Sequence, residues 1–379
     1  HAKRGVCVLA CLASALPTAG SLLSPTSRAF AARATPFSRR CAPRALCSAA
    51  ADRKKVVFLG TPSVAARSLE LLLEASRAGR GGGFDVAAVV SQPDARTGRK
   101  KLLTPSPVSA MAEAQGVRVL KPPNAKEVGF LAEIEEIAPD LCITAAYGCF
   151  LPRRFLEIGK CGTLNIHPSL LPLYRGAAPL QRCLEAGDEV GGVSVLFTVL
   201  KMDAGPILRQ VRRPLATEEQ APELLLELFE TGTELLVDAL PSVWDGTYKE
   251  VLEEQDGALA TSAAKVSVEE AALDFSVIGA AAAHNRVRAF SPWPGTWTAI
   301  SIGSAEPVRA KLLQTRVIDG LLEARTRSLA HSNGGLRIVC ADGSVLEVLR
   351  LTMPGKKPVG ASAFWNGLNG RSVEWVGGS

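Results

Sequence analysis

From Lys54 onward the chain alternates two textures, and this alternation limits the possible folds more than any other feature. Val56-Val57-Phe58-Leu59-Gly60 is a short apolar run closed by glycine, and Ser63 to Ala78 after it carries apolar residues at helical spacing (Ala66, Leu69, Leu72, Leu73). The cycle repeats. Phe84 to Val90 reads as a strand, Val108 to Gln115 as a helix, Val117 to Leu120 as a strand, Glu127 to Ile137 as a helix and Leu141 to Ala145 as a strand. Gly162 to Ile166 and Val193 to Val199 add two strands with a helix at Pro179 to Ala186 between them, and Glu223 to Leu240 closes the series as a long helix. Alternating strands and helices of this length bury a parallel sheet on both faces.

Near Asp245 the texture changes. Pro241, Gly246 and Gly257 mark a connector over residues 243–260, and beyond it short strand-like runs alternate with turns: Thr296 to Ile302, Val308 to Val317, Leu336 to Val339 and Val345 to Leu351. The last two are joined through Asp342-Gly343, a hairpin signal. The expected architecture is α/β, with a Rossmann-like parallel-sheet domain over residues 52–242 and a small OB-like β-barrel over residues 261–379. The first strand-to-helix turn reads Leu59-Gly60-Thr61-Pro62, without the G-x-G-x-x-G that a dinucleotide needs, so a nicotinamide cofactor is not expected. No G-x-x-x-x-G-K-[ST] occurs either.

Of 43 basic and 37 acidic residues, residues 1–51 hold seven of the first and none of the second, which leaves the body at 36 against 37. A nucleic-acid partner would therefore be held by a local patch and not by the field of the whole molecule. Val6 to Leu16 is apolar but far short of the roughly 20 residues that span a bilayer. The acid-free stretch after it, with Arg28, Arg33, Arg39, Arg40 and Arg44, has the composition of an organellar transit peptide. Residues 1–51 are expected to be a leader to a plastid or a mitochondrion, with a mature body in stroma or matrix that binds no membrane. Among nine cysteines, Cys142, Cys149, Cys161, Cys183 and Cys340 lie in the body without C-x-x-C pairs or matching histidines. No metal site is expected, only reduced, buried thiols.

The stretch that carries chemistry is Gly162 to Pro179. On a strand Asn165 and His167 point the same way, while Leu164 and Ile166 point into the core. Pro168 cannot donate to a sheet ladder, so the strand ends there and sets both polar groups at its carboxyl edge, where open α/β sheets bind ligands. Asp203 follows the next apolar strand, and its carboxylate reaches His167 if the two strands are neighbours. An imidazole backed by a carboxylate accepts a proton from a nucleophile, and an amide N–H beside it stabilises an oxyanion, which suits acyl transfer. No Ser or Cys stands in a nucleophile elbow, so direct transfer to an amine is expected. Taken singly, each residue also has a structural reading: a satisfied polar group at a strand end, or a turn residue before Gly205.

Asn165-Ile-His167-Pro-Ser-Leu-Leu-Pro172, then Arg175-Gly-Ala-Ala-Pro179, then Met202-Asp203-Ala-Gly205-Pro206, resembles the folate-dependent formyltransferases, in particular their tRNA-directed branch. Further segments match in order: Phe58 to Pro62, Ser91 to Asp94 with Gly98-Arg99, Pro105 to Val108, Ala146 to Gly148, Leu151-Pro152, Arg288 to Pro294 and Pro354 to Lys357. The resemblance implies transfer of the formyl group of 10-formyltetrahydrofolate to the α-amine of initiator methionyl-tRNA by a monomer. It assigns Asn165 to the oxyanion, His167 to the amine proton, and Asp203 to orienting His167 and raising its basicity. It also implies a folate rim at Ser169, Leu170, Leu171 and Pro172 and the backbone near Tyr147 and Gly148. A tRNA contact would come from the basic run Arg96, Arg99, Lys100 and Lys101, with Arg350, Lys356 and Lys357 of the barrel as further contacts. The sequence departs from the family at Val64, Gly191-Gly192 and Phe275, where Phe, Thr-Gly and Trp are common. An enzyme formylating an amino sugar nucleotide or glycinamide ribotide would share the three polar residues, and a non-catalytic RNA-binding protein would need only the barrel. The barrel and the basic run together favour tRNA.

Overall fold

The computed structural model describes residues 53–97, 101–321 and 327–376. The leader at residues 1–51, Arg99 and Lys100 lie outside the described residues. The first part of the body is built on β1 (Lys54–Gly60), β2 (Phe84–Val90), β3 (Ala95–Thr97), β4 (Leu102–Thr104), β5 (Val119–Leu120), β6 (Leu141–Ala145), β7 (Thr163–His167), β8 (Arg175–Gly176), β9 (Val190–Phe197) and β10 (Ile207–Pro214). Its helices are α1 (Ser63–Arg77), α2 (Pro107–Ala114), α3 (Val128–Ile137), α4 (Arg153–Leu156), α5 (Pro179–Ala186) and α6 (Ala221–Asp245). The main sheet has the order β10-β9-β7-β6-β1-β2-β5. β7, β6, β1, β2 and β5 run parallel, as the alternation predicts.

β9 runs antiparallel to both β7 and β10. Residues from α1, α5 and α6 cover one face of the sheet in a single apolar core with Val56, Phe58, Leu164, Ile166, Val193 and Val195. Phe130, Leu131 and Ile134 of α3 and Phe155 of α4 cover the opposite face over Val57, Leu59, Val90 and Cys142. On that second face the β7–β9–β10 end is covered by loops and not by a helix. α2 starts where Ser106 accepts a hydrogen bond from the Ser109 N–H and Pro107 fills the first turn, which accounts for the Pro-Ser-Pro-Val motif. α6 does not stop at Leu240; it runs through Pro241 to Asp245. Proline there removes one intrahelical bond, and the burial of Leu240 and Val243 with the Trp244 Nε1 bond to Gly81 O (2.7 Å) outweighs that loss.

The second part holds β11 (Ser262–Ala263), β12 (Trp297–Ile302), β13 (Val308–Leu321), β14 (Ala330–Ser332), β15 (Gly335–Val339), β16 (Ser344–Thr352), β17 (Val359–Gly360) and β18 (Val373–Val376), with α7 (Ala280–Ala289) and α8 (Ala361–Asn366). Its antiparallel sheet has the order β14-β15-β16-β13-β12-β18, and register shifts along β13 let it curl. The Ser328–Glu374 bridge joins the segment before β14 to β18, so the two edges meet. Asp342-Gly343 makes the expected hairpin between β15 and β16. A separate core of Phe275, Ile300, Leu336, Leu346, Val348 and Trp375 among others fills the curl.

Candidate active site

β7 presents Leu164 and Ile166 to the core under α6, so the period of two turns Asn165 and His167 to the face that loops cover. The strand ends at His167, immediately before Pro168, as predicted. The Asn165 Oδ1 accepts a 2.8 Å bond from Thr144 Oγ1 on the adjacent strand β6, which leaves its Nδ2 without a bond to another described residue. A fixed amide with its donor end free is what oxyanion stabilisation requires.

His167 is 4 % exposed. Its Nε2 stands 3.0 Å from the Tyr174 carbonyl, and a carbonyl only accepts, so Nε2 carries a proton and the neutral form of the ring is the Nε2–H tautomer. The lone pair is then on Nδ1, which faces Asp203 Oδ2 at 3.8 Å. That distance is an ion-pair contact once the ring is charged and too long for a hydrogen bond. The ring is therefore oriented by Tyr174, and Asp203 stands beside the nitrogen that gains charge, a division of labour different from the one the resemblance implies.

Asp203 reaches this place by a path the sequence does not reveal. β9 ends with Phe197 opposite Leu164, toward the start of β7, about 10 Å from the level of His167 at ~3.3 Å per residue. The loop from residue 198 to 206 returns along the sheet, and Asp203 turns in the left-handed region (φ 48°). Its Oδ2 accepts the Gly176 N–H at 2.9 Å. Tyr174 is also left-handed (φ 61°), with its hydroxyl on Asp188 Oδ2 at 2.7 Å. Burial first, and the Asp188 carboxylate second, push the Tyr174 phenol well above its ordinary range, so it keeps the proton it donates.

The connector closes over this segment. Thr261 takes the Tyr174 N–H on its Oγ1 and the Arg175 N–H on its carbonyl, both at 2.8 Å, and β11 pairs parallel with β8. A Cβ at Gly176 (φ 133°) would stand 2.5 Å from Ala263 O, so only glycine fits there. Glu253 bridges to Ile207 at the start of β10. Tyr174, Thr261 and Gln255, each bonded to the groups that hold His167 or Asp203, have no local sequence signature; the Arg175-Gly176 pair was the only nearby signal.

The expected folate rim divides. Ser169 is buried, with Oγ on Leu173 O at 2.8 Å. The Leu171 side chain packs with Leu196 and Ile207 in a small core of their own. Leu170 is half-buried and lies over Gly192, where a Cβ would come within 2.5 Å of its Cδ2. Pro172 is half-buried and Gly148 exposed. The Tyr147 side chain belongs to the core under α3, and its carbonyl is taken by Thr61 Oγ1 (2.9 Å) and Gln92 Nε2 (3.2 Å).

Of the basic run, Arg96 lies on β3 and Lys101 just before its partner β4, both exposed, with the Arg96 Nη1 on the Lys101 carbonyl and Leu102 and Leu103 facing solvent; Arg99 and Lys100 lie outside the described residues. Lys356 and Lys357 are exposed on the turn between β16 and β17. Cys142, Cys183 and Cys340 are buried thiols pushed up to about 12 by desolvation, whereas Cys149 is exposed and Cys161 half-buried, against the expectation of burial for all five.

Residues 54–240 match the formyl transferase family, and residues 265–369 match its C-terminal domain. A methionyl-tRNA formyltransferase of Pseudomonas paraeruginosa is 37% identical over 325 residues, which cover 86% of this chain and 98% of that protein. A sugar 3N-formyl transferase solved in the presence of dTDP and 5-N-formyl-THF has a TM-score of 0.56 at 14% identity, over 80% of this chain and 99% of its own. An N-formyltransferase of Helicobacter canadensis, solved with folinic acid and dTDP-3-aminofucose, has a TM-score of 0.55 at 15% identity, over 78% and 98%. At these identities the two structures speak for the fold.

Proposed function

The chain belongs to the formyl transferase family, and we propose that within it this protein moves a formyl group from 10-formyltetrahydrofolate to the α-amine of initiator methionyl-tRNA. The observation that carries the reading is the gathering of a fixed amide donor, an imidazole lone pair and a carboxylate at one end of β7.

When bound, 10-formyltetrahydrofolate supplies the electrophilic formyl carbon. Leu170 and Pro172 beside β7 would give its rings an apolar wall, and the free Nδ2 of Asn165 would face the formyl oxygen on N10, with Ser169 bracing the turn through Leu173 O. Asn165 Nδ2 donates to the oxygen as it gains negative charge, and Thr144 prevents the amide from rotating away. His167 Nδ1 takes the proton that the attacking amine loses. The imidazolium so formed keeps its Nε2–H on the Tyr174 carbonyl and has its Nδ1–H beside the Asp203 carboxylate. As the tetrahedral adduct collapses, the bond between the formyl carbon and N10 of the folate would break, with the imidazolium giving its proton to N10 as tetrahydrofolate leaves, so Asp203 would stabilise the charge His167 carries between the two proton transfers.

Two features support tRNA as the acceptor over a small amine. The methionyl-tRNA formyltransferase relative is matched over 98% of its length, and the β3–β4 hairpin carries exposed basic and apolar residues with no part in the sheet core. Arg96, Arg99, Lys100 and Lys101 would meet phosphates there, with Lys356 and Lys357 on the barrel. The acid-free arm supports an organellar address, plastid or mitochondrion. Incubating the purified protein with 10-formyltetrahydrofolate and initiator or elongator methionyl-tRNA, with a dTDP-amino sugar as competitor acceptor, tests the reading. Formylmethionyl-tRNA is expected on the initiator; formylation of the sugar alone, or of nothing, refutes it. Import of a fusion of residues 1–51 into isolated plastids and mitochondria tests the address.

A further inference from the structure

Gln255 lies in the connector, outside the group of Asn165, His167 and Asp203, yet it spends both N–H bonds of its amide on the loop that carries Asp203. Its Nε2 donates to Asp203 O at 2.9 Å and to Gly205 O at 2.6 Å. Its Oε1 accepts from Arg175 Nε at 3.0 Å and Nη2 at 2.6 Å. Arg175 immediately precedes Gly176, whose N–H donates to the Asp203 carboxylate. The bonds form a closed circuit: Gln255 grips the backbone of the Asp203 loop, Arg175 grips Gln255, and the next residue grips the Asp203 side chain.

The circuit has a physical purpose. Asp203 is held left-handed, a conformation that side-chain-bearing residues rarely adopt and that persists where the surroundings over-determine it. Two carbonyls of one loop turned toward a single amide use both of its N–H protons. Lost hydrogen bonds here would free the carbonyls to water and let the loop relax by rotation at residue 203, carrying the carboxylate away from His167 Nδ1.

We infer that Gln255 is a positioning residue of the reaction, setting the place of the Asp203 carboxylate against His167, so that the connector between the two sheets forms part of the frame of the active site. This rests on the formyl-transfer reading above and goes beyond it in assigning a role to a segment that carries no reacting group. The alternative is that Gln255 merely fastens the connector to the body.

Gln255→Ala and Gln255→Glu separate the two. The second keeps the length of the side chain and the acceptor for Arg175 but sets an oxygen against two carbonyls. Both variants are expected to lower kcat about 10- to 100-fold, with KM for folate and for tRNA within about twofold of wild type. A second reading needs no turnover: the ring 15N resonances of His167 at fixed pH, picked out from the chain's four histidines by a His167→Gln spectrum. Nδ1, which faces Asp203, is expected to move while Nε2, on Tyr174, stays. Unchanged kcat and Nδ1 resonance with a lowered melting temperature would overturn the inference, as would failure of both variants to fold. Should the wild type make no formylmethionyl-tRNA, the proposed function falls while the resonance still reports on the position of Asp203.

Discussion

Asp203→Asn tests whether the carboxylate acts by its charge. The substitution keeps size and an oxygen for the Gly176 N–H, so the loop has no reason to unfold. What it removes is attraction to an imidazolium at 3.8 Å. Both side chains are largely buried, at 5% and 16% exposure, so an effective dielectric of about 20 applies and Coulomb's law gives about 4 kcal/mol; a more polar surrounding of about 40 gives about 2. The charge that Asp203 would face is the one the proposed reaction places on His167, hence the loss falls on the transition state and not on substrate binding. A fall in kcat of about 30- to 1000-fold is expected, with both KM values little changed. Single-turnover formylation of methionyl-tRNA, read by acid gel, measures it beside a thermal melt. A variant within about threefold of wild type would refute the argument that charge stabilisation at Nδ1 is what Asp203 supplies.

Thr144→Val removes the bond that fixes the Asn165 amide and is expected to lower kcat about tenfold, the worth of one hydrogen bond of about 1 kcal/mol or slightly more, without altering the melting temperature by more than a few degrees. Neutralising Arg96, Arg99, Lys100 and Lys101 together should raise the KM for tRNA and flatten its dependence on salt, while leaving the KM for folate unchanged; an unaltered salt slope would remove the β3–β4 hairpin from the tRNA interface. The Arg182 guanidinium, bonded at 2.6 Å, holds the Glu270 carboxyl down to about 2 from 4.5. A lowered carboxyl contributes stability that is present above its unfolded value and lost as pH falls through its folded value. Glu270→Gln should therefore melt below wild type at pH 7, by a margin kept small by solvent around the pair, and the gap should close between pH 4.5 and pH 2.

The parts of this structure that were legible are those with local causes. The five parallel strands follow from apolar runs closed by turns, and α5 begins at Pro179 and ends at Ala186 as its spacing predicts. The β7 pair was legible for the same reason: a period of two and a terminal proline settle which residues share a face. β10 was missed because Arg209, Arg212 and Arg213 interrupt its apolar pattern, a composition that suits a strand at the edge of a sheet. The β3–β4 hairpin was read as a charged loop, and α6 was cut short at a proline that tertiary packing tolerates. The side chains of Tyr147 and Leu171 show a further limit. A motif tells which residues accompany a ligand site but not which of them turn inward, and both of these do.

The base in this site cannot be identified from residue types, because histidine has two nitrogens and the choice between them is made elsewhere. Tyr174 makes it by offering a carbonyl to Nε2, and that carbonyl is aimed by a left-handed turn held on one side by Asp188 and on the other by Thr261. Thr261 comes from a segment 87 residues away in sequence. Had the carbonyl been absent, Nδ1–H would have turned to Asp203 and the lone pair to Nε2, reversing the roles of the two faces of the ring. Asp203 would then orient a resting base; in the observed arrangement it receives a newly made charge. The same three residue types thus admit two mechanisms, and the stretch just after the connector, by holding Tyr174 through Thr261, selects between them.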